Sequence, residues 1–368
     1  MDREKALIKP GWEMGRSTIL SLGTAVPDTA VSQDHMAGFL ASVAQAQDGA
    51  RPGLDRALRR MAGRTTIRTR HSVLADFACS EPEAFEFFPK NWALDPFPST
   101  RSRLEIYERE ASPLAERAAR RALDRARVAP SDVSHVVLTS CTGFFAPGPD
   151  VLLMDRLGLR PNTQRTLIGF MGCYAGFNGL RTAHEIVLSD PGAVVLVVSV
   201  ELCTLHVQRA PDLETAVSNL LFADGAGAAV VAAQPRGRAS IQRSASALAE
   251  GTRDEMAWHI GDHGFVMRLA PTVPHHLKGQ VETFARRLGA GRETRYAVHP
   301  GGRRILEAVS EALDTELPES FEVLQDFGNM SSASIFFVLD RILREGSPPV
   351  AAMGFGPGLT MEGLLLQP

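Results

Sequence analysis

Cys173 heads the run GCYAGFNGLRTAHEIV, where a Gly-bounded turn meets an amphipathic helical pattern just before the apolar run AVVLVVSV. First-turn N–H groups and the dipole of a helix favour negative charge. A sulfur placed there is expected to hold a thiolate near neutral pH, below the roughly 8.5 of a free thiol. His299 in YAVHPGGRRIL and Asn329 in FGNMSSASIFFVL follow, each at a junction between a strand or turn and a helix. Thiolate, imidazole and amide form a set suited to acyl transfer. Sulfur attacks a carbonyl and later departs as a good leaving group, and an imidazole within hydrogen-bond reach would hold it as an ion pair. No catalytic carboxylate is required beside them, so Asp326 reads as structural.

The elements that must position these residues can be read from periodicity. STILSLGTAVP from Ser17 predicts a strand ending in a Gly/Pro turn. SRLEIYEREASPLAERAARRALDRARV from Ser102 predicts a charged amphipathic helix broken or restarted at Pro113. Its dense Arg/Glu content reads as a solvated face. From His135 the order is strand, Gly/Pro loop, helix, the Cys173 helix, then strand, which predicts an α/β fold with a mostly parallel sheet. The second half repeats the pattern: strand RYAVH, loop PGG, helix RRILEAVSEAL, a helix starting near Ser331, strand PVAAMGF and loop GPGLT. This echo suggests a duplication, with halves 1–235 and 236–368 and a boundary in the segment 234–243. His299 and Asn329 would then fall at positions analogous to those around Cys141 and Cys173, so all three candidates converge between the halves.

Composition excludes several classes. With 44% hydrophobic and 22% charged residues the chain can bury a large core, and a net charge of −3 argues against nucleic acid or an anionic membrane as a general partner. The charged N-terminus MDREKALIKPGWEMGR lacks the pattern of a signal peptide, and the longest apolar runs fall far short of the ~20 residues that span a bilayer. A cytoplasmic protein is the expectation. Cys79, Cys141, Cys173 and Cys203 lie far apart without CxxC spacing, which suits neither a structural zinc site nor a disulfide scaffold. His259 and His263 have no acidic or thiolate partner at ligand spacing and sit in a strand-like segment, so no metal is predicted. His275 and His276 after Pro274 read as loop surface. The glycines from Gly354 to Gly358 lack the lysine and Ser/Thr of a phosphate loop, and no GxSxG elbow is present. Residues 71–101, aromatic and Pro-rich without clean periodicity, suggest no function.

The motifs GCYAG around Cys173, LFADGAGA around Phe222, VHPGG around His299, FGNMSSAS around Asn329 and the terminal GFGPGLTME occur in order over nearly the whole chain. In them the chain resembles the type III polyketide synthases, the chalcone-synthase-like family. Among these, SCTGF, MGCYAGFN, VELCTLHVQ and MAWHIGDHGF look like bacterial alkylpyrone and alkylresorcinol synthases. The resemblance implies a thiolase fold, five αβαβα layers built from two duplicated α/β halves. It also implies a homodimer that loads an acyl-CoA starter onto cysteine and extends it repeatedly with malonyl-CoA, with no cofactor beyond the coenzyme A thioesters. Cys173 would be the nucleophile, and His299 and Asn329 the pair that binds thioester carbonyls and assists decarboxylation. Carbon dioxide loss then generates an enolate whose oxygen these N–H donors stabilise.

The same resemblance assigns Phe222 to the gate between the coenzyme A tunnel and the cavity. The second gatekeeping position is Met267 instead of phenylalanine, a flexible thioether that should soften the gate. Cys141, Thr142, Cys203, His206 and Trp258 fall at cavity-lining positions, with Ser331, Gly356 and Pro357 beside the reacting centre. Buried packing is the competing reading for Cys141 and Cys203. Trp258 replaces a small residue of the plant enzymes, which points to a long, narrow aliphatic channel. Arg60 and Arg64 fall at the family's phosphate contacts. Ala57 stands where a third basic residue is expected, so Arg56 would take over; the alternative is an ordinary solvated basic face. Two other functions remain open: a single-condensation 3-oxoacyl-carrier-protein synthase III, and a noncatalytic thiolase-fold protein that binds acyl-CoA.

Overall fold

Apolar runs too short to cross a membrane become the strands of one large sheet. The computed structural model describes residues 17–47, 53–209, 213–344 and 346–368, so the charged segment 1–16 lies outside the described residues. The strands are β1 (Thr18–Ala25), β2 (Thr29–Ser32), β3 (Thr69–Ser72), β4 (His135–Ser140), β5 (Gln164–Gly169), β6 (Val194–Leu202), β7 (Asp224–Ala232), β8 (Ala239–Leu248), β9 (Met256–Gly261), β10 (Gly264–Leu269), β11 (Arg295–Val298), β12 (Val350–Gly356) and β13 (Thr360–Gln367). The helices are α1 (Gln33–Gln45), α2 (Leu54–Ala62), α3 (Thr100–Ala126), α4 (Pro149–Leu157), α5 (Ala175–Ser189), α6 (Leu213–Leu221), α7 (Val273–Lys278), α8 (Val281–Leu288), α9 (Arg303–Leu313), α10 (Pro318–Phe327) and α11 (Ser334–Ile342). Among the described residues, no helix is long and apolar enough to cross a membrane.

Nine strands run in the order β11-β12-β13-β8-β1-β7-β6-β4-β5, and β1, the first strand, pairs with β8, from beyond the middle of the chain, through Thr18–Ser240 and Ile19–Ala239. The pairings β4–β5, β4–β6 and β11–β12 are parallel and the other five antiparallel, so the sheet is mixed rather than mostly parallel. Tight connections such as the three-residue turn Pro357–Leu359 between β12 and β13 add antiparallel strands to each parallel core. Helix α5 packs on β4, β6, β7 and β13, while α11 packs on β1, β7 and β11, so this pair is sandwiched at the centre. Helix α3 covers β1, β6 and β7 on one outer side, and α8 covers β8 and β13 on the other. This gives the αβαβα layering.

Helix α3 continues through Pro113 without a break, contrary to the sequence expectation. Its buried stripe of Ala111, Ala115, Ala118, Ala119 and Ala122 lies flat on the sheet, and that packing offsets the backbone hydrogen bond the proline removes. His275 and His276 lie in helix α7, not in a loop, because Pro274 sits in its first turn and Val273 and Leu277, four apart, are buried. The segment 71–101 builds a secondary core: Phe77, Phe85 and Trp92 surround Phe39 at ring distances of 5.1, 5.6 and 5.7 Å. The carboxylate of Asp76 accepts the backbone N–H groups of Glu86, Phe87 and Phe88 beneath it.

Candidate active site

Cys173 stands in the turn immediately before α5, with Tyr174 as the N-cap. Gly172 makes that turn possible. Its φ is +86°, and a Cβ there would lie 2.3 Å from the Pro357 ring, so only glycine allows the close approach of Pro357. His299 follows β11 and its backbone N–H donates to Met353 O at 2.8 Å, which extends the β11–β12 pairing to this residue. Asn329 sits between α10 and α11. Its backbone is tied to the chain beyond α6: Asn329 N donates to Leu221 O and Ala223 N to Asn329 O, both at 2.9 Å.

These three side chains line a single cavity of about 20 Å³, together with Phe222, Met267 and Phe355. Such a volume holds little more than one water. The Asn329 amide is oriented without ambiguity. Ser331 N–H donates to Oδ1 at 2.8 Å, and Nδ2 donates to Gly301 O at 3.3 Å, leaving its second N–H for the cavity. His299 is 1% exposed and both its ring nitrogens are buried without a partner among the described residues. Burial lowers its pKa to about 3, so the imidazole is neutral.

Burial acts on Cys173 as well. It pushes the Cys173 thiol up to about 12, the Glu201 carboxylate adds in the same direction, and the side chains of Ser331 and Asn329 oppose it. The helix N-terminus predicted from sequence is there, but desolvation outweighs it. Before substrate enters, the site holds a neutral thiol beside a neutral imidazole.

Two further cavities adjoin this centre. A larger one of about 510 Å³ shares Leu269, Gly301 and Ile305 with it and opens past Met61, Arg64 and Arg304. A third, of about 20 Å³, shares Phe222 and Met267 and is lined by Cys203, His206 and Trp258. Phe222 and Met267 therefore stand between the inner cavities. Trp258 and Met267 are paired across the β9–β10 hairpin. The innermost wall is a stack: His206 lies on Phe265 at 4.1 Å, with Trp258 edge-on to His206 at 5.6 Å. Trp258 Nε1 donates to Cys141 O at 2.8 Å. The space behind Phe222 and Met267 is a small walled cavity. His206 donates from Nε2 to Thr142 O and accepts at Nδ1 from Phe265 N–H, and burial lowers its pKa to about 3. Its ring is held at both nitrogens and is neutral.

Cys141 and Thr142 lie one step removed from the cavities. Cys141 Sγ accepts Gly172 N–H at 2.9 Å, and the Thr142 hydroxyl bridges Leu202 N–H to Glu201. Gly356 sits so near that a Cβ there would be 3.3 Å from Cys173 N and 2.7 Å from the Tyr174 ring. Of the three arginines proposed for phosphate, Arg64 lines the large cavity, whereas Arg56 and Arg60 are exposed on α2 outside its lining. Asp326 pairs with Arg68 and Arg341 at 2.8 Å each. No group of three or more His, Cys, Asp or Glu arranged to hold a metal ion occurs among the described residues.

Sequence reasoning missed Glu201, Arg303 and Arg304. Glu201 is fully buried and accepts hydrogen bonds from Cys141 N–H, Thr142 and Ser332; burial raises its pKa to about 7. Its signal was a lone carboxylate inside the apolar run VVLVVSVEL. Arg303 and Arg304 open α9 directly after PGG, at the mouth of the large cavity.

Comparison with known proteins agrees with this geometry. The N-terminal domain pattern of chalcone and stilbene synthases matches residues 8–235 and the C-terminal domain pattern residues 240–368. The chain is 33% identical over 285 residues to the alpha-pyrone synthesis polyketide synthase-like Pks18 of Mycobacterium tuberculosis, covering 72% of each chain. It is 31% identical to type III polyketide synthase 21 of rice (Oryza sativa), covering 96% of this chain and 94% of that one. Among solved structures, PKS-I of the brown alga Ectocarpus siliculosus superposes with a TM-score of 0.88 at 30% identity, covering 98% of this chain and all of that one. The C-terminal type III domain of Steely1 from Dictyostelium gives 0.87 at 25% identity, covering 96% and 99%. With a thiol, an imidazole and an amide in one cavity of a thiolase fold, and both domain patterns matched, the chain belongs to the chalcone and stilbene synthase family of type III polyketide synthases, which are acyltransferases.

Proposed function

We propose that this enzyme loads an acyl-CoA starter on Cys173 and extends it with several malonyl units, closing the product to an alkylpyrone, an alkylresorcinol or a related polyphenol. The observation that carries this reading is the shared cavity of Cys173, His299 and Asn329, entered from a larger one. Coenzyme A occupies the larger cavity, and its thioester passes Leu269, Gly301 and Ile305. The free imidazole of His299 takes the Cys173 proton as sulfur attacks the carbonyl, and returns it to the departing coenzyme A thiolate. Forming both charges together overcomes the burial that disfavours each alone. A malonyl thioester then loses carbon dioxide, and its enolate oxygen is held by N–H groups of His299 and Asn329. The enolate carbon attacks the acyl-Cys173 thioester and sulfur leaves, free for the next cycle. Growth past Phe222 and Met267 requires Met267 and Trp258 to shift, since the space beyond is about 20 Å³. The alkylpyrone assignment draws on the likeness to Pks18.

The test is a panel of starters from acetyl-CoA to long fatty acyl-CoA with labelled malonyl-CoA, read by mass spectrometry. Products carrying two or more malonyl-derived units are expected. A single unit throughout would favour the single-condensation alternative, and no product would favour a binding protein.

Arg64 and Arg304 supply the charge for the coenzyme A phosphates. Arg303 is paired with Glu307 at 2.6 Å, whereas Arg304 makes no ion pair among the described residues. Replacing Arg64 and Arg304 with alanine should raise KM for acyl-CoA roughly tenfold, the worth of a charge-assisted contact. KM for a simple acyl thioester should stay unchanged, and equal effects on both substrates would refute the assignment.

A second copy of the chain is the partner we assign to the edge strand β5, whose residues are largely exposed. Leu167 is 44%, Phe170 39% and Phe144 49% exposed on this side, and a second copy would cover them. Light scattering that returns the mass of one chain would exclude this.

A further inference from the structure

We propose that Arg70, a buried cation outside every cavity described, is a positioning residue that holds the decarboxylating amide of Asn329 and the gate Phe222 in register. The proposal rests on the reading of Asn329 as the oxyanion donor. Three separate observations lead to it.

First, Arg70 lies in β3, is 1% exposed, and spends its guanidinium on the end of α6. Nη1 donates to Asn219 O at 2.9 Å and to Phe222 O at 3.0 Å; Nη2 donates to Leu220 O and to Gln33 Oε1. A cation on the last carbonyls of a helix satisfies groups that have no partner within the helix. Burial lowers its pKa to about 9, with Asp224 acting the other way, so it stays charged at neutral pH.

Second, the same short segment holds Asn329. Leu221 O and Ala223 N bracket the Asn329 backbone at 2.9 Å each, so carbonyls gripped by Arg70 alternate with groups gripped by Asn329. Phe222 and Asn329 form an isolated parallel bridge. Third, the Arg70 stem packs beside Gly328. That residue has φ +70°, and a Cβ added there would lie 3.1 Å from Leu221 O and 3.7 Å from the Arg70 Cβ. Arg70 therefore bonds to one segment of the bridge that carries the amide and lies beside the other.

Gln33 steadies the grip, because its Nε2 donates to Leu220 O at 3.0 Å and to Thr65 Oγ1 at 2.9 Å. Lysine cannot reproduce the arrangement. One ammonium on a flexible stem does not span three carbonyls and an amide oxygen the way a planar fork does. The expected consequence is a bridge displaced by a fraction of an ångström. Loading needs Cys173 and His299, which sit on other elements, so it should survive, while steps that use the Asn329 N–H should suffer.

The experiment compares wild type with Arg70→Lys and Gln33→Leu, scoring Cys173 self-acylation by intact mass and malonyl-CoA decarboxylation per acylatable site. For Arg70→Lys we expect normal self-acylation and a fall in decarboxylation of about 10 to 100-fold, the scale of a small misplacement. KM for acyl-CoA should be unchanged, and products should shift in length as Phe222 loosens. Gln33→Leu should show the same split more weakly, and it carries the test if Arg70→Lys does not fold. Equal losses in loading and decarboxylation, or none in either, would overturn the proposal. If Asn329→Ala itself decarboxylates normally, the reading of Asn329 fails first, and the two failures are distinguishable.

Discussion

Cys173→Ala is expected to abolish covalent loading: incubated with acyl-CoA, the wild-type chain should gain the mass of the acyl group and the variant none. Turnover should fall below detection, because among the described residues no other cysteine lines the cavity with His299 and Asn329. Cys141 is committed to Gly172 through its hydrogen bonds, and burial raises its thiol well above the ordinary range. Cys203 lines the innermost cavity, but burial raises its thiol in the same way, with Glu201 and Asp224 adding to it. An acyl group found on either cysteine in the variant would sink the assignment. The protonation state has its own signature. With the thiol pushed up to about 12 and the imidazole down to about 3, iodoacetamide labelling of Cys173 in the substrate-free enzyme should climb steadily from pH 7 to 10. A plateau reached by pH 6 would mean that His299 already holds a thiolate before substrate arrives.

Asn329→Ala should separate the two half-reactions. Self-acylation persists, and malonyl-CoA decarboxylation falls about 100 to 1,000-fold, the usual loss for one oxyanion donor. The size of the effect follows from how firmly the amide is aimed. Its oxygen is held by Ser331 N–H and its nitrogen by Gly301 O, so one N–H points to the reacting centre at no reorganisation cost. Alanine removes that donor and leaves Ser331 N–H without its acceptor. Asn329→Asp should be equally poor in decarboxylation, since a carboxylate keeps the shape but meets the developing enolate with like charge. Release of labelled carbon dioxide from malonyl-CoA measures both. Normal turnover in either variant would show that the enolate is stabilised elsewhere.

Much of this site was legible in the chain because helix and strand starts are local events. A glycine turn ahead of an amphipathic run located Cys173 at the head of α5, and the PGG turn located His299 after β11. The repeat of strand, loop and helix anticipated a helix after Cys173 and another starting near Ser331, which are α5 and α11. Edge strand β5 escaped notice because QRTLIG is half polar and exposed, without the apolar run or alternation that marks a buried strand. Pro113 misled for the opposite reason: its local preference for a break is real, and the alanine stripe packed along the sheet overrides it. The aromatic segment 71–101 has no period because its rings converge on Phe39 from separate turns.

By itself the sequence determined the reaction class: a sulfur nucleophile, an imidazole and an amide, each at the start of an element that could present it. The tertiary structure alone decided the protonation those groups favour at rest, the volumes around them, and which arginines line the large cavity. Residue type and helix start are properties of a few neighbours in the chain. Desolvation sums over atoms brought from everywhere in it, and the charge of Glu201 and the hydrogen bonds of Ser331 and Asn329 reach the same sulfur at position 173 from distant parts of the chain.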